Sequence, residues 1–89
     1  SRNNLNVQIG DRILAKNELQ GQVAFIGETD FAPGKLWIGI ILDTPSGKNN
    51  GKINGHAYFK CKKNHGLFLQ PASVHPLVVE NDDNGDMAF

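Results

Sequence analysis

The reading of the fold turns on Trp37-Ile38-Gly39-Ile40-Ile41-Leu42. As a short apolar run it predicts a strand, in which successive side chains point to opposite faces. Ile38, Ile40 and Leu42 then face inward, and Trp37 and Ile41 share the other side. Both faces are apolar, so the strand is either central in a sheet or gives one face to the core and the other to a binding surface.

Working outward, Arg12 to Ala15 and Gln22 to Ile26 read as strands upstream, the second with Val23 and Phe25 on one face. Downstream, Ala57 to Lys60, Gly66 to Leu69 and Val74 to Val78 read as three more. Nowhere do apolar positions recur at helical spacing for long enough to make a globular helix. Ten glycines and four prolines punctuate the chain, and Pro33-Gly34, Asn50-Gly51 and Asn54-Gly55 are strong turn formers. About six short strands joined by such loops predict an all-β fold, a small, strongly twisted antiparallel barrel or sandwich of the SH3-like kind. Residues 1–6 read as a flexible segment, 7–79 as the domain, and 80–89 as an acidic tail or linker.

A chain of 89 residues accommodates one core, and 39% apolar with 20% charged residues is a globular composition rather than a disordered one. No apolar run of about eighteen residues and no basic-then-apolar leader occurs, so neither a membrane span nor a signal peptide is expected. The single cysteine, Cys61, cannot form an internal disulfide, and no Asn-x-Ser/Thr acceptor is present. Both features point to a reducing, cytoplasmic compartment. The formal net charge is zero, but the charges are segregated. Glu80, Asp82, Asp83 and Asp86 cluster at the end, whereas no carboxylate lies between Thr44 and Val79. That span holds Lys48, Lys52, Lys60, Lys62, Lys63 and all three histidines, which gives either a plain solvated lysine face or a positive potential that attracts anionic partners.

Within it, Gly47-Lys48-Asn49-Asn50-Gly51 combines two glycines, one cation and two amides, with no apolar side chain. Glycine permits close backbone approach, Lys48 is a compact point charge, and both carboxamides can donate or accept, so an anion or carboxylate is the natural guest. A nucleotide phosphate loop fails on spacing. Only three residues separate Gly47 from Gly51, Ile53 stands where a metal-binding Ser or Thr belongs, and no long helix follows. Taken alone, Asn50-Gly51 reads equally well as a hairpin turn.

The loop lies between Phe31-Ala32-Pro33-Gly34-Lys35-Leu36 with the Trp37 strand on one side, and Tyr58-Phe59 with His65-Gly66-Leu67-Phe68 on the other. Together with Gly10-Asp11-Arg12 and Gly21-x-Val23, these segments resemble, in family order, the CAP-Gly domain, from about Ile9 to Val74. The resemblance implies a glycine-rich β fold whose groove binds carboxyl-terminal Glu-Glu-Tyr/Phe sequences. Partners of this kind are α-tubulin, end-binding proteins and cytoplasmic linker proteins, which places the module on microtubules. It further implies that Phe31, Trp37 and Phe68 wall the groove, and that Lys48 and Asn49 face the partner's carboxylates in a loop completed by Gly47, Asn50 and Gly51. Two departures stand out: Asn50 replaces the usual Asp, and Leu36 is one residue more than usual before the tryptophan.

Other chemistry finds little footing. His56, His65 and His75 lack metal-ligand spacing, Cys61 is alone where zinc takes about four ligands, and the Cys61 and His65 pair has no orienting third group. The expectation is therefore no enzyme, no metal and no cofactor. The alternative function is a nucleic-acid or chromatin-tail reader on an SH3-like barrel. A further expectation is that the acidic tail ending in Phe89 mimics the ligand and docks into a neighbour's groove.

Overall fold

The computed structural model describes residues 5–78. Seven strands follow one another: β1 (Arg12–Ala15), β2 (Leu19–Gly27), β3 (Trp37–Leu42), β4 (Lys52–Ile53), β5 (His56–Ala57), β6 (Gly66–Leu69) and β7 (Val74–Pro76), with a 3-10 turn at Pro71–Ser73 before the last. Five form one antiparallel sheet in the order β6-β3-β2-β1-β7, and β4 and β5 pair as a separate hairpin. The all-β expectation holds, and β3 lies inside the sheet between β2 and β6.

The core contains Val7, Ile13, Ala15, Val23, Ile38, Ile40, Leu42, Leu67 and Val74, all nearly inaccessible. Leu67 and Val74 come from the two edge strands, yet share this cluster. In a flat sheet those edges would stand about 19 Å apart, so the sheet must curl round its own interior. The tight connections use positive backbone angles. Lys16 and Asn17, with φ of 55° and 62°, make the β1-β2 turn, and Asn54 and Gly55, at 52° and 84°, close the β4-β5 hairpin. Consecutive positive angles are the geometry that suits strand twist.

Several boundaries differ from the sequence reading. Among the described residues there are seven strands rather than six, because the Asn54-Gly55 turn pairs Lys52–Ile53 with His56–Ala57. The predicted strand at Ala57 to Lys60 stops at Ala57. The Tyr58 and Phe59 amides both donate to the carbonyl of Gly51 (2.9 and 3.4 Å), a geometry no ladder provides. The last strand ends at Pro76, one residue before the Leu77 amide donates to the carbonyl of Arg12 at 3.1 Å.

The more consequential difference concerns Val23 and Phe25, which do not share a face. The β2-β3 register pairs Val23 with Ile40 and Phe25 with Gly39, so a bulge between them holds one extra residue, Ala24. A bulge inverts the alternation beyond it. Val23 therefore enters the core, whereas Phe25 emerges on the opposite side and Ile26 returns to pack against the core. Residues 1–4 and 79–89, with the expected tail and the docking of Phe89, lie outside the described residues.

One ion pair joins β1 to the end of β3. Arg12 donates to Asp43 through both terminal nitrogens, Nη1 at 2.9 Å. The hydrogen bond from Arg12 holds the Asp43 carboxyl below the ordinary carboxylate range against the opposing effect of desolvation, with the charges of Arg12 and His65 adding to it. A depressed folded value means that the stabilisation is present above the unfolded value, about 4, and is lost as pH falls through the folded one. Both side chains are nearly half exposed, which limits the pair to about 0.5 kcal/mol. Arg12→Met is expected to lower stability by about that amount at neutral pH and by nothing once Asp43 is protonated, as read by urea unfolding at the two pH values.

Candidate functional site

The face of β3 opposite the core is built round a missing side chain. Gly39 pairs with Phe25 on β2 and with Phe68 on β6, so an empty position lies between two rings. The ring of Phe59 fills it, since a Cβ on Gly39 would stand 2.5 Å from Phe59 Cε1. This is the close approach that glycine in a central strand permits.

A continuous aromatic surface grows from there. Phe68 has ring centroids of Phe25, Phe31, Tyr58 and Phe59 at 6.0, 5.1, 5.4 and 5.4 Å, and Phe31 reaches Trp37 at 5.4 Å. The contacts are edge-on or tilted, as ring quadrupoles prefer. All six side chains are half-buried, so they pack together and still present surface. Trp37 joins through Phe31, and its Nε1-H donates to the carbonyl of Ala32 at 3.3 Å, which fixes the incoming loop.

The cationic loop abuts this surface. The amides of Lys48 and Asn49 donate to the carbonyl of Gly66 (2.8 and 3.2 Å), and the Gly66 amide returns a bond to the carbonyl of Asn49 (2.8 Å). Gly66 opens β6, two residues before Phe68. At its other end, Gly51 accepts from Tyr58 and Phe59, and its α-carbon lies against the Phe59 backbone. Loop and rings are thus one contiguous region.

Inside the loop, Asn49 Oδ1 accepts from the Gly51 amide at 2.8 Å and Asn50 Oδ1 from the Lys52 amide at 3.1 Å. Asn50-Gly51 is therefore not the hairpin turn; Asn54-Gly55 is. Both side-chain oxygens accept from the loop's own backbone, and Lys48 and Asn50 are exposed. An exposed ammonium beside exposed carboxamide donors suits an anion.

The structure thus brings together Phe31, Phe68, Gly47, Lys48, Asn49, Asn50 and Gly51, with Trp37 attached through Phe31. The sequence reading assigned no role in this surface to Phe25, Tyr58 or Phe59. It also missed a brace at the surface's edge. The amide of Asp30 donates to the Tyr58 hydroxyl at 2.9 Å, His56 Nδ1 donates to Asp30 Oδ2 at 3.0 Å, and the His56 ring stacks on Tyr58 at 4.0 Å. Gly39 was the usable signal, a glycine inside an otherwise large-residue strand. Elsewhere, His65 Nδ1 donates to the carbonyl of Leu42 at 2.7 Å, and burial pushes the Cys61 thiol up, away from its reactive thiolate form. Among the described residues no three His, Cys, Asp or Glu side chains group as metal ligands, and no helix is long and apolar enough to cross a membrane.

Comparison with known proteins follows the same outline. The family described as CAP-Gly domain matches residues 9–74. CAP-Gly domain-containing linker protein 3 of Xenopus laevis is 43% identical over 97% of this chain. The match spans only 16% of that relative's length. The solution structure of the CAP-Gly domain in human kinesin-like protein KIF13B aligns with a TM-score of 0.74 at 36% identity, over 82% of this chain and 72% of that one. The Bik1 CAP-Gly domain with ETF peptide from Bim1 aligns with a TM-score of 0.66 at 32% identity, over 73% of this chain and 78% of that one. With its glycine-rich loop, its ring-lined sheet face and a family match over most of its length, the chain belongs to the CAP-Gly domain family.

Proposed function

We propose that the chain is a non-catalytic, cytoplasmic, microtubule-associated binding module that takes acidic, aromatic-ended carboxyl-terminal tails, such as those of α-tubulin, end-binding proteins and cytoplasmic linker proteins. The observation that carries this reading is the contiguity of a loop bearing the exposed Lys48 ammonium with a surface of half-buried rings. A chain terminus that ends in a ring offers the matching pair, an apolar plate and a carboxylate a few ångströms from it. The peptide beside the related Bik1 domain supports the same reading.

The two contributions differ in size. Burying an aromatic side chain gives roughly 1.5 to 3 kcal/mol, whereas an exposed charge pair gives at most about 1. The ring, set among Phe31, Trp37 and Phe68, dominates discrimination. The terminal carboxylate is held by Lys48 and the Asn49 amide, and the preceding acids sense the positive potential of the lysines around the loop. Such rim pairs weaken in salt.

Calorimetric titration with free-acid Glu-Glu-Tyr, ring-deleted Glu-Glu and amidated Glu-Glu-Tyr peptides tests the proposal. The first is expected to bind in the micromolar range, and loss of the ring to weaken binding about tenfold to a hundredfold. Trp37→Ala and Lys48→Ala are expected to weaken the first peptide. Equal binding of all three peptides would remove the proposed role.

A further inference from the structure

The segment that carries Phe31, between β2 and β3, is held in place by side chains. Among the described residues, no backbone-to-backbone hydrogen bond ties 28–36 to another part of the chain. Two of its ties are local, from the Gly34 amide to Glu28 Oε1 at 3.4 Å and from the Trp37 indole to the carbonyl of Ala32 at 3.3 Å. The two that reach across to β5 and the residue after it both belong to Asp30. Its amide donates to the Tyr58 hydroxyl at 2.9 Å, and its Oδ2 accepts from His56 Nδ1 at 3.0 Å.

His56 closes the connection. Its ring lies flat on Tyr58, with centroids 4.0 Å apart and planes 1° from parallel, and Tyr58 meets Phe25, Phe31 and Phe68 edge-on at 5.3, 5.7 and 5.4 Å. The His56 side chain is 49% exposed and that of Asp30 84%, and neither belongs to the core. What their bond fixes is the place of Asp30, and with it the next residue, Phe31, whose ring touches Trp37, Tyr58 and Phe68. Asp30 is also a carboxylate at the edge of a surface that takes acids, so its charge alone works against the ligand.

Resting on the tail-binding function proposed above, we propose that His56 and Asp30 are positioning residues: their hydrogen bond, with the stack on Tyr58, holds Phe31 and Tyr58 where they receive the ligand's terminal ring. The pair acts on binding through those two rings. Loss of the bond is therefore felt by the ligand's ring, whereas the ligand's acids sense only the charge of Asp30. The sheet and its core do not depend on either side chain.

The test compares the wild-type chain with His56→Ala, Asp30→Ala and Asp30→Asn, each titrated with free-acid Glu-Glu-Tyr and with ring-deleted Glu-Glu. A carboxamide oxygen still accepts the His56 N-H, so Asp30→Asn separates the bond from the charge. The two alanine variants are expected to weaken Glu-Glu-Tyr about threefold to fivefold and to leave Glu-Glu within about twofold, and Asp30→Asn to bind Glu-Glu-Tyr at least as well as wild type. Trp37, the single tryptophan, reports the ring arrangement without any peptide. Its emission is expected to shift in both alanine variants and to return to the wild-type position in Asp30→Asn. Melting temperatures should stay within about 4 °C of wild type. Tighter binding of Glu-Glu-Tyr by both Asp30 variants would show the charge alone at work and overturn the assignment, as would alanine variants with unchanged binding and emission. Failure of the wild-type chain to bind Glu-Glu-Tyr overturns the tail-binding function, and the emission shifts then decide by themselves whether the pair positions the rings.

Discussion

Replacing Gly51 with alanine is expected to destabilise the domain by roughly 3 kcal/mol or more and to abolish tail binding with it. Two independent reasons converge. Gly51 has φ of 95°, where a Cβ brings strain of about 1 to 2 kcal/mol. That Cβ would also overlap the carbonyl oxygen of Phe59, which is backbone and cannot rotate away. Gly34, with φ of 87° and nothing within 4 Å of an added Cβ, isolates the first reason from the second. Gly34→Ala is expected to cost only about 1 kcal/mol. In thermal melts the two variants should separate clearly, with Gly51→Ala melting about 12 to 24 °C below wild type and Gly34→Ala about 4 to 8 °C below. Similar melting points for the two would mean that the loop yields at Phe59.

Phe68→Ala should be nearly as damaging, by a different route. Its ring is the one against which Phe25, Phe31, Tyr58 and Phe59 all lean. Complete burial would set the penalty at about 3 to 5 kcal/mol, and partial exposure lowers it to roughly 2 to 3. The fold should survive, because the core lies on the opposite face and keeps Leu67. Binding of Glu-Glu-Tyr should fall by more than about a hundredfold, since the neighbouring rings lose the support that orients them. Leu67→Ala supplies the contrast, with a comparable loss of stability and a far smaller loss of affinity at temperatures where both variants stay folded. Equal losses of affinity in the two variants would argue that the ring face has no special part in recognition.

The sequence reading placed β1, β3 and β6 at their observed limits, because each is a compact apolar run bounded by turn residues. It assigned Ile38, Ile40 and Leu42 to the core and Trp37 to the other face by alternation alone, and the burial agrees. Alternation failed at Phe25, since a bulge leaves no mark in a pattern of period two; only the pairing with Ile40 and Gly39 reveals it. Tyr58 and Phe59 read as strand for the same reason that they are sticky, being aromatic, but the Gly51 carbonyl captures both amides. The chemistry of the cationic loop was legible in its composition. Its geometry was not, because the bonds that set it run to Gly66, Tyr58, Phe59 and Cys61, all distant in the chain. The brace of Asp30, His56 and Tyr58 likewise joins residues far apart in sequence.

The bulge at Ala24 makes a single ribbon answer to two masters. Val23 and Phe25, neighbours but one, serve the interior and the ring-bearing exterior, and only the thickness of one backbone divides them. There is no intervening layer to absorb a disturbance. Outward side chains can diversify one at a time without repacking the inside, whereas any slip of the ribbon itself registers on both sides at once.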